Sequence, residues 1–218
     1  MEASSANPLV RLRKALGRLR RRFVLDTFDV FVRPVPPDAR GEPPAGYVLR
    51  WGTPADVERC EPRHTELDER ERRAGVARLG LGHRVVLGLA GEVVVFSMWV
   101  NPRCLNVPGL MKRALTGEQW FIYKAFTSPE HRGKRLYEGG MRFVLAEMRA
   151  AGLKELVGYA HVKKAVSRKG LAALEFASAG RVTELDWPFL KRTFLSKELL
   201  RRFPRELARS GAVPEARS

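Results

Sequence analysis

The chain is poor in cysteine, histidine and long apolar runs, and each shortage removes a class of protein. Its 218 residues include two cysteines and four histidines. Cys60 and Cys104 stand in no CxxC or Cys/His spacing, which indicates neither a metal site nor a disulfide framework. Both read as free thiols in a reducing compartment, an expectation that places the protein in the cytoplasm. No apolar run approaches the roughly 18 residues that suggest a membrane span, and no secretory h-region is recognisable near the N-terminus. Acid is short as well: 24 Asp and Glu against 40 Lys and Arg leave a net charge of +16. That excess favours polyanionic partners, whether nucleotide cofactor, anionic lipid, acidic protein or nucleic acid, and charge alone does not choose among them.

What is present suits one well-buried α/β domain with two basic ends. Residues 9–24 carry Leu9, Leu12, Leu16, Leu19 and Phe23 on one stripe with cations around it, the pattern of an amphipathic basic helix. Such a helix can pack its leucines on the domain, lie on an anionic membrane surface, serve as an organellar transit peptide or touch nucleic acid. A short strand, TFDVFVRPV, follows, and PVPPDARGEPPAG reads as a linker. The division is therefore 1–45 as helix, strand and linker, 46–195 as the main domain, and 196–218 as a basic C-terminal helix and tail. Within the main domain, Tyr47 to Trp51 reads as a strand and Thr53 with Asp56 as a capping box. Leu67 to Leu79 reads as a charged, exposed helix. His83 to Ala90 and Glu92 to Val100 read as strands joined at Ala90-Gly91. His64 and His83, with no partner nearby in sequence, read as solvated. The 19-residue stretch after Val100 is too long for a plain connection.

The chain is organised around WFIYKAFTSPEHRGKRLYEGGMRFVLAEM, Trp120 to Met148. Trp120 to Thr127 suits a strand covered on both faces. After Pro129, the segment EHRGKR sets Gly133 among three cations and His131, and Tyr137, Met141, Val144, Leu145 and Met148 then recur at helical spacing. First-turn amides have no intrahelical partner and the helix dipole makes that end electropositive, so strand, glycine turn and helix start form a phosphate site. KELVGYA is a second strand, parallel to the first because a helix crossover joins them. Lys164 to Ala177 reads as a helix, Arg181 to Trp187 and Phe189 to Phe194 as a closing antiparallel pair, and KELLRRFPRELARS as a last basic helix. These alternations predict a mixed sheet of six or seven strands with helices on both faces.

Residues Glu130, His131, Arg132, Gly133, Lys134 and Arg135 are similar to the loop Q/R-x-x-G-x-G/A with which GNAT-superfamily acyltransferases hold the pyrophosphate of acyl-CoA. Gly133 matches; Glu130 and Arg135 depart. HVKKAVSRKGLAALEF resembles the family's N-x-x-S, helix and G-F pattern, with Ser167 and Phe176 in register, Lys164 in place of Asn and Glu175 in place of Gly. The resemblance covers roughly residues 46–187. It implies an α/β (α+β) GNAT-like fold with a mostly antiparallel sheet, and acyl transfer, acetyl in the simplest case, from acetyl-CoA or another acyl-CoA directly to a small-molecule amine. No metal is implied. It also implies that Phe126, Thr127, His131, Arg132, Gly133, Lys134, Arg135, Leu136, Lys164 and Ser167 bind the cofactor.

Acyl transfer to an amine needs a bound donor, a polarised thioester carbonyl and a route for the ammonium proton. Amides from His131 to Leu136 would take pyrophosphate, with charge-assisted bonds from Arg132, Lys134 or Arg135. A backbone amide near Ala125 to Thr127, where the parallel strands splay, would polarise the carbonyl. Leu171 stands where many family members carry a tyrosine, so proton handling passes to Tyr123, Tyr159 and His161 as candidates, with Glu118 near them in sequence. Arg103, Lys112 and Arg113 in the long connection are candidates for an anionic acceptor. An acyl-carrier protein would suit the basic surface as an alternative donor. The competing reading is a GNAT-like module that has lost catalysis and serves as a basic binding or membrane-associated protein.

Overall fold

The computed structural model describes residues 24–61, 68–187 and 190–207. An eight-stranded sheet has the order β10-β9-β1-β8-β7-β4-β3-β2. Its strands are β1 Val24–Pro34, β2 Val48–Trp51, β3 Arg84–Ala90, β4 Val93–Asn101, β7 Gln119–Thr127, β8 Glu155–His161, β9 Ala177–Trp187 and β10 Leu190–Leu195. β5 Cys104–Val107 and β6 Met111–Ala114 form a separate hairpin. The helices are α1 Pro54–Arg59, α2 Glu69–Gly80, α3 Leu136–Ala150, α4 Ala165–Ala173 and α5 Lys197–Arg202. β7 and β8 pair in parallel, while the other pairs are antiparallel. This is a mixed, mostly antiparallel sheet with one parallel pair, as the resemblance implies.

The sheet has eight strands instead of six or seven, and the extra pairing lies at β1. Its apolar residues divide between the faces: Val30 and Val32 pack on one core cluster and Phe31 on another. A strand with both faces covered is held inside a sheet. β1 accordingly lies between β8 and β9, well ahead of the proposed boundary at residue 46. The proline-rich segment behind it packs across α3, for a Cβ at Gly139 would lie 2.7 Å from Pro44 and one at Gly41 would lie 3.2 Å from Phe143.

α3 buries Leu136, Met141, Val144, Leu145 and Met148 against Phe96, Met98, Val100, Trp120 and Ile122. Gly140 permits the close approach, because a Cβ there would meet the Phe96 ring at 2.5 Å. Each fully buried side chain of this size contributes about 2 kcal/mol. The helix ends at Gly152 (φ +71), where the Leu153 N–H donates to the Met148 carbonyl, the left-handed stop expected of glycine there.

On the opposite sheet face the β5–β6 hairpin and α5 cover Val30, Val32, Phe121 and Val157, while α1 and α2 cover Val85, Leu87 and Trp99. The capping box at Thr53 and Asp56 is formed, with Arg50 bidentate on Asp56 at 2.7 Å. α2 is not the exposed helix expected: Glu71, Gly75 and Arg78 are buried, because Gly75 lets the Trp99 ring lie against the helix. The long connection forms the β5–β6 hairpin. The last helix stops at Arg202, since Pro204 biases Phe203 away from helical conformation. Cys60 and Cys104 are buried and are not joined in a disulfide. The basic stripe 9–23, His64 and the C-terminal tail from 208 lie outside the described residues.

Candidate functional site

The parallel pair is short. β7 and β8 share register only at Gln119–Glu155, Trp120–Leu156 and Phe121–Val157. Beyond that point β7 continues along β4 to Thr127 and β8 along β1 to His161, so the two strands diverge and leave facing edges open. A bulge accentuates the divergence. Tyr123 is opposite Trp99 and Phe126 opposite Ser97, which leaves Lys124 and Ala125 without register partners in β4. Lys124 takes φ +47, and its Nζ donates to Glu71 at 2.9 Å. Bulges of this kind redirect side chains at functional edges.

Two helices start at the open end on one face. After β7, buried Ser128 and a short turn at Pro129–His131 lead through Gly133 (φ +75) and Arg135 (φ +61) into α3. None of the hydrogen bonds of the described residues uses the amides of Gly133 to Glu138 as donors. A Cβ at Gly133 would meet nothing within 4 Å, so the main chain there is open to a ligand. Such a loop with free amides at a helix start is a phosphate cradle. Arg132 Nε donates to the Thr127 carbonyl at 3.2 Å, and His131 Nδ1 is 2.9 Å from the Tyr47 hydroxyl. Lys134 holds no ion pair among the described residues. Arg135 turns back onto the helix, where Nε meets Glu138 at 2.9 Å. α4 starts beside this loop: its N-cap, Lys164, supplies no capping side chain, and Lys164 and Ser167 are exposed. A Cβ at Gly170 would lie 3.3 Å from the Tyr137 ring, which marks how closely the helices approach. Burial pushes the Tyr137 hydroxyl pKa up.

A concavity of about 750 Å³ runs along α3 and contains Arg33, Arg40, Arg135 and Arg142. It also contains Asp38, Glu42, Glu138 and Glu175. Arg33 pairs with Glu175, and Arg135 and Arg142 share Glu138. Charge balance of that kind gives the groove no net pull on phosphate, unlike the amide loop.

On the other face, a cavity of about 40 Å³ is lined by His83, Asn101, Asn106, Pro108, Phe121, Tyr123, Lys124 and Tyr159. Phe121 stacks between the two tyrosines, with ring centroids 5.6 Å from Tyr123 and 5.7 Å from Tyr159. His83 is not solvated as expected. It is half-buried, and its Nδ1 is 2.6 Å from the Tyr123 hydroxyl. Burial, then the charges of Arg78, Arg103 and Lys112, bring its pKa down to about 4, so the imidazole is neutral at pH 7.

The remaining sequence candidates separate. His161 sits on β8, with Nε2 bonded to Asp26 and Nδ1 accepting the Lys163 N–H at 2.9 Å, outside the lining of the tyrosine cavity. Glu118 pairs with Lys154 ahead of the parallel pairing, away from the open end. Arg113 is buried under Glu206 and the Pro204 carbonyl, a structural place. Leu171 is buried in the core and brings no hydroxyl to the site. Phe126 and Thr127 lie half-buried at the end of β7 beside the loop. The residues missed by sequence reasoning are His83, Asn101, Asn106 and Glu71. A lone histidine 40 positions from its tyrosine offers no local signal.

A scan against protein-family models finds no match, and a comparison with curated proteins finds none either. Solved structures similar to the chain include a functionally unknown conserved protein from Staphylococcus epidermidis ATCC 12228, at 9% identity over 83% of this chain and 66% of that one, TM-score 0.49. Another is a GCN5-related N-acetyltransferase from Sphaerobacter thermophilus, at 14% identity over 82% of this chain and 55% of that one, TM-score 0.49. A third is AAC(6')-Iy in complex with the bisubstrate analog CoA-S-monomethyl-acetylneamine, at 14% identity over 60% of this chain and 90% of that one, TM-score 0.48. The chain thus spans 66% and 55% of the lengths of the first two.

Proposed function

We propose that the protein is an acyl-CoA-dependent N-acyltransferase that moves an acyl group, acetyl in the simplest case, directly from a thioester to an amine. The observation that carries this reading is the divergence of β7 and β8 beyond Phe121 and Val157, with the free amides of Gly133 to Glu138 at the mouth. Those amides would hold the pyrophosphate, assisted by Lys134 and Arg132. The amide-containing pantetheine arm would lie between the open strand edges as an added strand does. Phe126 and Thr127 on β7, and Lys164 and Ser167 at the start of α4, would flank it. The thioester would reach the bulge at Lys124 and Ala125, where main chain outside the β4 ladder can polarise the carbonyl.

The amine nitrogen adds to the carbonyl carbon, the tetrahedral intermediate collapses with cleavage of the C–S bond, and the proton lost by nitrogen must reach the departing sulfur. The Tyr123–His83 pair would carry it, with Tyr159 on the facing strand; the 2.6 Å contact between His83 Nδ1 and the Tyr123 hydroxyl supports this. Replacing Tyr123 with Phe should lower turnover about a hundredfold, the scale of a lost acid–base group, and leave CoA affinity unchanged.

Leu171 in place of a family tyrosine supports the second reading, a binding module without catalysis. The net charge of +16 supports acyl-carrier protein as an alternative donor. Incubating the protein with acetyl-CoA, longer acyl-CoAs and an amine panel, with thiol release and calorimetric CoA binding read together, separates the cases. Binding with release is expected. Binding without release favours the module, and neither signal rejects the site.

A further inference from the structure

The cavity at Tyr123 sits in a field of one sign. Arg78 comes to it from α2, Arg103 from the turn after β4, Lys112 from β6 and Lys124 from β7. Arg78, Arg103 and Lys112 all act on His83. The facing carboxylate, Glu71, is engaged by Lys124 at 2.9 Å and Arg78 at 3.2 Å. No carboxylate lines the cavity itself.

Arg103 differs from the others. It holds no ion pair among the described residues, and its guanidinium lies 3.5 Å from the Cβ position of Gly82, next to His83. Its backbone is pinned, since Asn101 Oδ1 accepts the Arg103 N–H at 2.9 Å and Asn101 is itself buried. An exposed guanidinium without a counter-ion, at the edge of a cavity that no carboxylate lines, is suited to an oxyanion.

We infer that the acceptor is a small amine that also carries an oxyanion, a carboxylate or a phosphate, which Arg103 binds while the amino end enters the cavity toward Tyr123. This rests on the N-acyltransferase reading. A cavity of about 40 Å³ has room for little more than the volume of one water, about 30 Å³, so only the amino end enters. The oxyanion offsets the cationic field that would repel a plain ammonium. The same field favours the free amine over the ammonium, which delivers the nucleophile in its reactive form. A neutral His83 adds no further positive charge.

The test is a matched series with acetyl-CoA: an ω-amino acid, its methyl ester, the ω-aminoalkyl phosphate and the plain alkylamine of the same chain length. Thiol release should give the oxyanion-bearing amines a kcat/KM about tenfold or more above the ester and alkylamine, the scale of one charge-assisted bond, carried mainly in KM. The carboxylate and phosphate arms show which oxyanion is preferred. Arg103→Ala should bring that ratio close to one, and Arg103→Lys should restore part of it. Equal use of the alkylamine, or an unchanged ratio in Arg103→Ala, overturns the inference while turnover leaves the acyltransferase reading standing. Calorimetric binding of the ω-amino acid in the presence of CoA keeps the two apart. Binding that Arg103→Ala removes, with no turnover of any amine, supports the oxyanion site and overturns the acyltransferase reading.

Discussion

The two faces of the β7–β8 divergence offer different kinds of groups to a ligand. On the α3 face the groups on offer are main-chain amides from consecutive residues between Gly133 and Glu138, with exposed charges around them. On the other face they are side chains from β4, β5, β7 and β8, with His83 just ahead of β3, held in a small aromatic cavity. Recognition by amides tolerates changes of side chain provided the backbone path survives. Two non-glycine residues keep such a path: Arg135 (φ +61) in the loop and Glu175 (φ +58) after α4 both hold the left-handed conformation that glycine adopts freely. Arg135 is tied to Glu138 and Glu175 to Arg33, and Lys124, the other left-handed residue on the divergence, is tied to Glu71. A cavity of side chains has no such tolerance, because each wall is one residue's identity.

The contrast can be broken first at Glu71. Glu71→Ala leaves the Arg78 guanidinium, 7% exposed, without its carboxylate and frees Lys124 at the bulge. Unfolding in urea should show a loss of about 3 kcal/mol, as for a broken buried pair, with CoA binding at the amide loop retained in the folded fraction. A loss below about 1 kcal/mol, within the range of a surface pair, would show the triad to be superficial.

Gly133→Val tests the opposite face. A β-branched residue at φ +75 costs about 1–2 kcal/mol in stability, and a side chain on the ligand side of the loop should weaken CoA binding about tenfold or more. Calorimetry that returns wild-type affinity would remove the loop from the donor site.

The His83 side of the cavity predicts a pH dependence. Its folded pKa, about 4, lies below the ordinary 6.5, so between those values the unfolded chain binds more protons and stability rises with pH. The contribution is complete above pH 6.5 and is lost as pH falls toward 4. Discounted for partial exposure, it amounts to about 1–2 kcal/mol. Urea midpoints measured from pH 7 to 4.5 should fall in the wild type and fall less in His83→Asn. Parallel slopes would place the titration elsewhere.

The smallest effect is expected at Arg135. Arg135→Gly removes a left-handed cost of about 1 kcal/mol and an exposed i,i+3 pair of about 0.3–0.5 kcal/mol. Stability should change by less than about 1 kcal/mol and CoA affinity by less than about threefold, because the side chain points to Glu138 and away from the loop amides. A tenfold loss of affinity would assign Arg135 to the phosphates.

Periodicity and turn chemistry determined much of this protein without any structure. The α3 stripe, the Gly152 stop, the Thr53–Asp56 box and the hairpin at Gly91 are local, so their causes lie within a few residues of each other. The amide loop is legible for the same reason: strand, glycine and helix start are contiguous. Tertiary structure alone decided that the 24–34 strand inserts between β8 and β9, that the proline-rich segment straps α3, and that a charged helix buries Glu71 and Arg78 under Trp99. It also decided that His83 meets Tyr123. Those outcomes depend on contacts between residues tens of positions apart, and hydrophobic pattern records which residues are buried without recording against what.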